Sequence, residues 1–228
     1  MRQQLTFILL GGLLLAGCKG NDPTQQTGAP APAAQGTAAP AATVENQQAM
    51  DSLLTVLGPL QGKTVADMFA GDGFYTWGML KAGARVLAID DNPANIAALE
   101  ARKKSEGIGD DRLLIRQTTP GSPGLLKDEV DMALITREYS TLGDRPAWFA
   151  QLMAGIRSPH LFYLVNFIPG QTAAGPPLSQ RMGYNTVSNE VNEFGFGDVG
   201  IFYKKMQYRY ILFGSVPPES RPDQGEGQ

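Results

Sequence analysis

The sequence has very few of the residues that build metal clusters and disulfides. Among its 228 residues there is one cysteine and one histidine, so a Cys/His zinc cluster and a disulfide within one chain are both excluded. Catalysis that depends on several histidines is excluded too. An excess of positive charge is also missing: 19 Lys and Arg against 22 Asp and Glu give a formal charge of −3. The composition therefore predicts no nucleic-acid partner.

No apolar run is long enough to span a bilayer. Residues 5–15 are apolar but fall short of the ~20 residues that a spanning helix needs. The basic start and the small residues after this run are typical of a secretory signal, and Leu15-Ala16-Gly17-Cys18 resembles the lipobox of bacterial lipoproteins. That resemblance implies a signal peptide over 1–17 and a lipid on Cys18. An ordinary secretory signal with a chance cysteine is the alternative.

The lipobox resemblance also implies a location. Lys19 after the cysteine, where an Asp would favour the inner membrane, points to a lipid anchor in the outer membrane with the domain facing the periplasm. Residues 18–43 are rich in Ala, Pro, Thr, Gln and Gly and cannot bury a core, so we expect a disordered tether. Residues 216–228 read as a disordered tail. One domain, expected to be monomeric, remains over residues 44–215.

Within residues 44–215, short runs rich in β-branched and aromatic residues alternate with helical patterns. This alternation predicts an α/β fold with a parallel sheet and helices on both faces. The last two strands are joined by so few residues that they must form an antiparallel hairpin. The predicted strands are 64–69, 85–90, 113–117, 130–136, 161–167, 199–204 and 208–213, and the predicted helices are 47–57, 74–81, 92–105, 145–156 and 179–194.

The clearest functional signal is the sequence Asp67-Met-Phe-Ala-Gly-Asp-Gly73 after the first strand. A glycine-rich turn lets backbone approach a ligand closely, because glycine has no Cβ and tolerates positive φ. Asp90, at the tip of the next strand, is placed to accept both hydroxyls of a ribose. A nicotinamide cofactor is disfavoured by spacing, since Thr76 stands where that pattern needs a small Gly or Ala. A nicotinamide-dependent reductase is therefore only a third possibility.

The same residues resemble motifs I and II of class I S-adenosylmethionine-dependent methyltransferases. The resemblance implies a Rossmann-like, mostly parallel seven-stranded sheet with an antiparallel last strand, and S-adenosyl-L-methionine as a small-molecule donor. In that family the loop holds the methionine part and the acid after the second strand holds the ribose. The implied cofactor-binding residues are Asp67, Phe69, Ala70, Gly71, Asp72, Gly73, Asp90, Asp91, Gln117 and Thr136.

One position departs from the commoner motif. Phe69 stands where most members have glycine, as in an Asp-x-Phe-x-Gly-x-Gly variant familiar among nucleic-acid methyltransferases. Enzymes of that kind that act on exocyclic amino groups carry an Asn/Asp-Pro-Pro-aromatic tetrapeptide after the fourth strand. Residues 135–140 read Ile-Thr-Arg-Glu-Tyr-Ser instead. Amino-group chemistry is therefore not supported, and the methyl acceptor is not identified.

A narrower resemblance covers nearly all of residues 45–215. The segments around Asp144-Arg145, Arg181-Met182-Gly183 and Glu190 are similar to a group of exported bacterial predicted methyltransferases. That group has a His pair where Ser140-Thr141 stand and an acid where Asn166 stands. These losses, together with a donor that is made in the cytosol, favour the alternative of a degenerate binding or scaffold lipoprotein.

Catalytic residues are not conspicuous in this sequence. Methyl transfer depends mainly on positioning donor and acceptor, so it requires no metal and no covalent nucleophile. Glu138 and Tyr139 follow the fourth strand, where the acceptor would lie, and they are the candidate catalytic pair. A structural role is the alternative for both. The sequence therefore predicts a membrane-anchored methyltransferase without a metal site.

Overall fold

Seven strands form one sheet, and its central strands are apolar on both sides. The computed structural model describes residues 40–217. Within them β2 and β4 are buried along almost their whole length, as expected for strands covered by helices on both faces. The strands are β1 (Thr64–Met68), β2 (Arg85–Asp90), β3 (Leu113–Gln117), β4 (Val130–Ile135), β5 (Ile156–Phe167), β6 (Asp198–Met206) and β7 (Arg209–Ser215).

The strand order is β3-β2-β1-β4-β5-β7-β6. The first five strands of this order pair in parallel, whereas β7 runs antiparallel to both β5 and β6. This confirms the predicted mostly parallel α/β sheet with an antiparallel last strand. Because parallel strands end at the same edge, the loops after β3, β2, β1, β4 and β5 share one edge of the sheet. Ligands bind at that edge in open α/β sheets, where the strand order reverses.

Helices cover both faces of the sheet and divide the core into two parts. On β1, Val65 packs against the side that carries the first three helices, whereas Ala66 and Met68 pack against the side of the last two. This alternation follows from the two-residue period of a strand. The helices are α1 (Pro40–Leu57), α2 (Phe74–Lys81), α3 (Pro93–Ser105), α4 (Arg145–Gly155) and α5 (Tyr184–Glu193), with 3₁₀ turns at Tyr139–Thr141 and Leu178–Gln180.

Two helices begin where capping residues predict a start. The side chain of Asn92 accepts a hydrogen bond from the Ala94 N–H, with Pro93 in the first turn. Asp144 likewise accepts from the Ala147 N–H at the start of α4. Each cap satisfies a backbone donor that the first turn leaves free. These caps fix the directions in which α3 and α4 leave the functional edge.

The structure differs from the predicted element bounds in four places. Helix α1 begins at Pro40, so residues 40–43, which the sequence places in the tether, are helical. Strand β5 begins at Ile156 instead of 161, because its first half is exposed and carries no apolar pattern. The predicted helix 179–194 is a 3₁₀ turn followed by α5 from Tyr184. Tyr208 is not in a strand but in the β6–β7 turn, with φ of 59°.

Several predictions concern residues outside the described range. The signal peptide over 1–17, lipidation of Cys18, the tether up to residue 39 and the tail from 218 onward all lie there. Across residues 40–217, no helix combines the length and the apolar character required to cross a membrane.

We expect Phe149→Ala to lower the free energy of unfolding by about 3–5 kcal/mol. Phe149 on α4 is fully buried, and its ring packs against five aromatic neighbours that include Trp148 and Phe162. Urea unfolding measures the change. The control is Leu126→Ala, since Leu126 is 65% exposed and its truncation should alter stability by less than about 0.5 kcal/mol. Equal effects of the two changes would contradict this account of the core.

Candidate cofactor and substrate site

The sequence-predicted cofactor residues lie together along one edge of the sheet. The loop 69–73 follows β1, Asp90 and Asp91 end β2, Gln117 ends β3, and Thr136 follows β4. These four strands are direct neighbours, and Asp90 pairs with Gln117 in register. The order of the strands therefore brings residues that are up to about seventy positions apart onto one surface.

The loop after β1 is a tight turn with two glycines in the left-handed region. Gly71 has φ of 57° and Gly73 has φ of 82°, and the Gly73 N–H donates to the Ala70 carbonyl. A Cβ on Gly71 would meet only the Phe69 carbonyl oxygen, at 3.9 Å. Asp72, in contrast, accepts from the N–H of Phe74, the first residue of α2. The backbone of Gly71 is thus the part of the loop that a ligand can approach.

Phe69 has a left-handed backbone conformation, at the position where the commoner motif has glycine. Its φ is 62°, which costs a non-glycine residue about 1–2 kcal/mol. The Phe69 ring stacks on the Trp148 ring, with 6.1 Å between the centroids. The guanidinium carbon of Arg137 lies 3.8 Å from the centroid of the Phe69 ring. Aromatic and cation–π contacts of this kind offset the backbone strain.

Asp67 carries a carboxyl group that the fold has buried completely. Its Oδ2 accepts from the Thr76 hydroxyl at 2.5 Å. Its Oδ1 has no hydrogen-bond partner among the described residues. Burial raises the pKa of Asp67 to about 7, because removal from water disfavours the charged form. The predicted role of Asp67 in supporting the loop or contacting the ligand stays a prediction.

Asp90 holds the glycine loop in place. Its Oδ2 accepts from the Gly71 N–H at 2.8 Å, and its Oδ1 accepts from the Asn92 N–H and the Asn95 amide. The side chain is almost fully buried. A carboxylate offers about four acceptor positions, so one position is left for another donor. The predicted ribose contact of Asp90 stays a prediction, since the carboxylate already serves as a structural acceptor.

Asp91 and Arg137 form an ion pair across the tip of β1. Both Arg137 Nη atoms lie 2.7 Å from Asp91 oxygens. The two hydrogen bonds from Arg137 lower the pKa of Asp91. Arg137 was not among the predicted site residues, although its position just after β4 places it on the same edge of the sheet. Only the strand order, with β2 and β4 on either side of β1, shows that its partner follows β2.

Glu138 and Tyr139 separate into two different environments. Glu138 is partly buried; its Oε1 accepts weakly from the Phe167 N–H at 3.4 Å, and its Oε2 has no partner within residues 40–217. Burial raises the pKa of Glu138. Tyr139 lies in the core, and its hydroxyl donates to Glu190 at 2.8 Å. This environment supports the structural alternative for Tyr139, because its hydroxyl is buried and engaged, and the catalytic role stays a prediction.

Two other residues of this edge have structural contacts, and a third is exposed. Asn166, which replaces an acid of the similar group, accepts from the Tyr139 N–H and donates to the Arg137 and Val165 carbonyls. A carboxylate there would face two carbonyl oxygens, so the amide suits this site. The Thr136 hydroxyl lies 3.4 Å from two carbonyl oxygens at the end of β1. Gln117 is exposed and free to meet a ligand.

Comparisons with known proteins agree on the fold. No family model matches the chain. A crystal structure of a SAM dependent methyltransferase from Aquifex aeolicus has a TM-score of 0.66 at 14% identity, covering 77% of this chain and 96% of that one. The magnesium protoporphyrin IX methyltransferase from Synechocystis PCC 6803, solved with bound SAH, has a TM-score of 0.56 at 17% identity, covering 76% and 84%. The chain has the class I methyltransferase fold.

A sequence relative covers only a short segment. The tRNA U34 carboxymethyltransferase of Shewanella sp. (strain ANA-3) is 44% identical over 52 residues, which is 22% of this chain and 16% of the relative. The chain thus aligns with about a sixth of the length of this curated relative. The match shows sequence similarity over these 52 residues only.

The buried carboxyl of Asp67 should make stability depend on pH. Its folded pKa of about 7 lies above the ordinary 3.8, so the folded chain holds a proton that the unfolded chain releases. We expect the contribution of Asp67 to stability to be largest below about pH 4 and to be lost as pH rises through about 7, by at most about 4 kcal/mol.

Asp67→Asn should remove this part of the pH dependence, because the amide does not titrate. Urea unfolding at several pH values between 4 and 8 measures it. The exposed Asp128→Asn is the matched control and should keep the wild-type profile. A profile unchanged by Asp67→Asn would show that Asp67 is not the titrating group.

Proposed function

We propose that this chain is an S-adenosylmethionine-dependent methyltransferase. The observation that carries the proposal is the buried Oδ1 of Asp67, which has no hydrogen-bond partner among residues 40–217 and lies just before the glycine loop, at the ligand edge of a class I methyltransferase fold. A buried carboxylate oxygen without a donor is costly. The α-ammonium group of S-adenosylmethionine is a donor of the right charge for that oxygen.

The residues of the loop fit such a ligand. Gly71 has open space where its Cβ would stand, so the methionine part can approach its backbone closely. Asp90 retains one acceptor position at the tip of β2, and the exposed Gln117 stands beside it on β3. These residues would hold the ribose and the base, in the order in which the strands lie.

Bound S-adenosylmethionine supplies an electrophilic methyl group on a sulfonium. The chain contributes position, which is the main source of rate in a displacement of this kind. Glu138 contributes a proton acceptor at the tip of β4: its Oε2 is unpaired and burial raises its pKa, so it can take the proton that an acceptor nucleophile loses.

We further propose that Cys18 is lipidated and anchors the domain to the cell envelope, with the domain facing the periplasm. The support is the lipobox-like Leu15-Ala16-Gly17-Cys18, whose cysteine is the only one in the chain. Residues 18–39 would then connect the lipid to α1. Several acyl chains on one residue give a stable anchor, where a single chain binds only marginally.

A scaffold protein that has lost the chemistry is the second candidate, and one observation favours it. The Asp91–Arg137 pair crosses the tip of β1 over the Phe69 ring. This arrangement covers the part of the edge where the donor would bind between β2 and β4. A scaffold protein binds no donor, so a covered edge between β2 and β4 would not impair its function.

Binding of S-adenosylhomocysteine to a matched pair of glycine variants tests the cofactor. Gly71→Ala and Gly62→Ala both place a Cβ on a glycine with positive φ and no close neighbour, so each should cost about 1–2 kcal/mol of stability. Only Gly71 lies at the proposed site. We expect Gly71→Ala to weaken binding by about tenfold or more, because its Cβ occupies the close approach, and Gly62→Ala to leave it unchanged.

Calorimetry at pH 7.5 measures both affinities. Absence of heat from wild type at millimolar S-adenosylhomocysteine would contradict the methyltransferase proposal and favour the scaffold. Equal loss in the two variants would place the site elsewhere.

Replacing the cysteine tests the anchor. Cys18→Ser should leave an uncleaved precursor, because the peptidase of the resembled lipoprotein systems acts only after the cysteine is modified. Wild type should partition into membrane fractions. Mass spectrometry of the mature N-terminus measures the outcome, with Cys18→Ala as a second variant. A soluble, unacylated wild-type chain that starts anywhere but Cys18 would overturn the anchor.

A further inference from the structure

A cavity of about 860 Å³ opens beside the glycine loop. It lies between the start of α2, the middle of α1 and the β6–β7 turn, and this volume falls within the range of small-molecule sites. Its walls carry four aromatic side chains, Phe74, Tyr75, Phe167 and Tyr208. Because α2 begins directly after the loop 69–73, the cavity adjoins the place where the donor would bind.

The charged residues of the cavity wall are all cationic. They are Lys204, Lys205 and Arg209. None of the ion pairs found within residues 40–217 involves any of them. Arg209 also acts on Glu138: burial raises the pKa of Glu138, and the positive charge of Arg209 lowers it. The chain as a whole is acidic, so this local excess of positive charge is not an effect of composition.

A β-bulge places the two lysines on the wall. Tyr203 pairs with Tyr210, and Met206 pairs with the adjacent Arg209, so Lys204 and Lys205 are two extra residues in β6. Lys204 has a left-handed φ of 60°, which is costly for a non-glycine residue. Bulges next to sites redirect side chains. Here the distortion brings two cations to the cavity.

Arg209 combines charge with a flat aromatic surface. Its guanidinium carbon lies 4.4 Å from the centroid of the Phe167 ring, and Nη1 donates to the Tyr75 hydroxyl at 3.1 Å. Arg181 lies 5.3 Å from the centroid of the same ring and binds carbonyls of the loop 170–176 that borders it. Arg209 keeps further N–H donors for an anion, since a guanidinium has five.

We propose that this cavity binds the methyl acceptor, and that the acceptor is a planar aromatic compound that carries an anionic group. The aromatic walls and the Arg209–Phe167 stack suit a flat ring. Lys204, Lys205 and Arg209 suit a carboxylate or phosphate. The assignment as acceptor rests on the proposed methyltransferase function; the binding of an aromatic anion does not.

A pair of probes that differ only in charge tests the specificity. Indole-3-acetate and indole-3-acetamide have nearly the same shape, and ligand-observed NMR titration of the full-length chain in detergent measures the affinity of each. We expect the acetate to bind about tenfold more tightly than the acetamide, as charge-assisted hydrogen bonds imply. The Lys204→Ala/Lys205→Ala double variant should lose most of this difference and leave acetamide binding unchanged.

Two controls separate charge from fold. The double variant Lys204→Arg/Lys205→Arg keeps the charge and should keep the preference for the acetate. Lys127→Ala removes an exposed lysine before β4, at the opposite edge of the sheet, and should change neither affinity. Equal binding of the two probes by wild type, or no binding of either, would overturn the inference.

Further titrations distinguish the remaining explanations. A single-stranded RNA oligonucleotide that binds more tightly than indole-3-acetate, with an affinity that falls steeply with salt, would replace the small-molecule acceptor by a nucleic acid. S-adenosylhomocysteine is titrated into the same samples. Binding of the acetate without S-adenosylhomocysteine overturns the acceptor role and the methyltransferase proposal but supports the anion site. Binding of S-adenosylhomocysteine without preference for the acetate overturns only the present inference.

Discussion

The buried carboxylate of Asp90 connects the sheet to the glycine loop. One of its oxygens accepts from the Gly71 N–H, and the other accepts from two donors at the start of α3. The loop after β1 therefore takes its shape from a residue at the end of β2. Because a buried carboxylate is stabilised by the hydrogen bonds that it accepts, movement of the loop would leave Oδ2 of Asp90 without the Gly71 donor. The geometry of the site depends on this constraint.

Charge is arranged with opposite signs on the two sides of the loop. Asp67, Asp90 and Asp91 lie at the tips of β1 and β2, whereas Lys204, Lys205 and Arg209 line the cavity on the side of β6 and β7. A cationic donor would be attracted to the acidic residues, and an anionic acceptor would be attracted to the basic ones. The two proposed sites would therefore differ in polarity.

Patterns within one segment predicted the elements well. The alternation of apolar runs with helical segments, the Asn92-Pro93 helix start and the short link between the last strands all correspond to observed features. The bounds failed where local pattern was absent, as in the exposed first half of β5, and where a side chain bonds distant carbonyls, as Arg181 does before α5. The partner of Tyr139 could not be predicted from local pattern, because Glu190 lies far along the chain.

The sequence by itself determined the α/β class, the antiparallel last strand and the positions of the glycine loop and of Asp90, because each follows from periodicity or from a motif of neighbouring residues. Only the tertiary structure decided what those groups contact. Burial left Asp67 with an unpaired oxygen, strand order joined Asp91 to Arg137, and a bulge brought two lysines to a cavity. Such outcomes depend on which distant segments meet, and local chemistry cannot specify the partner that the sheet order selects.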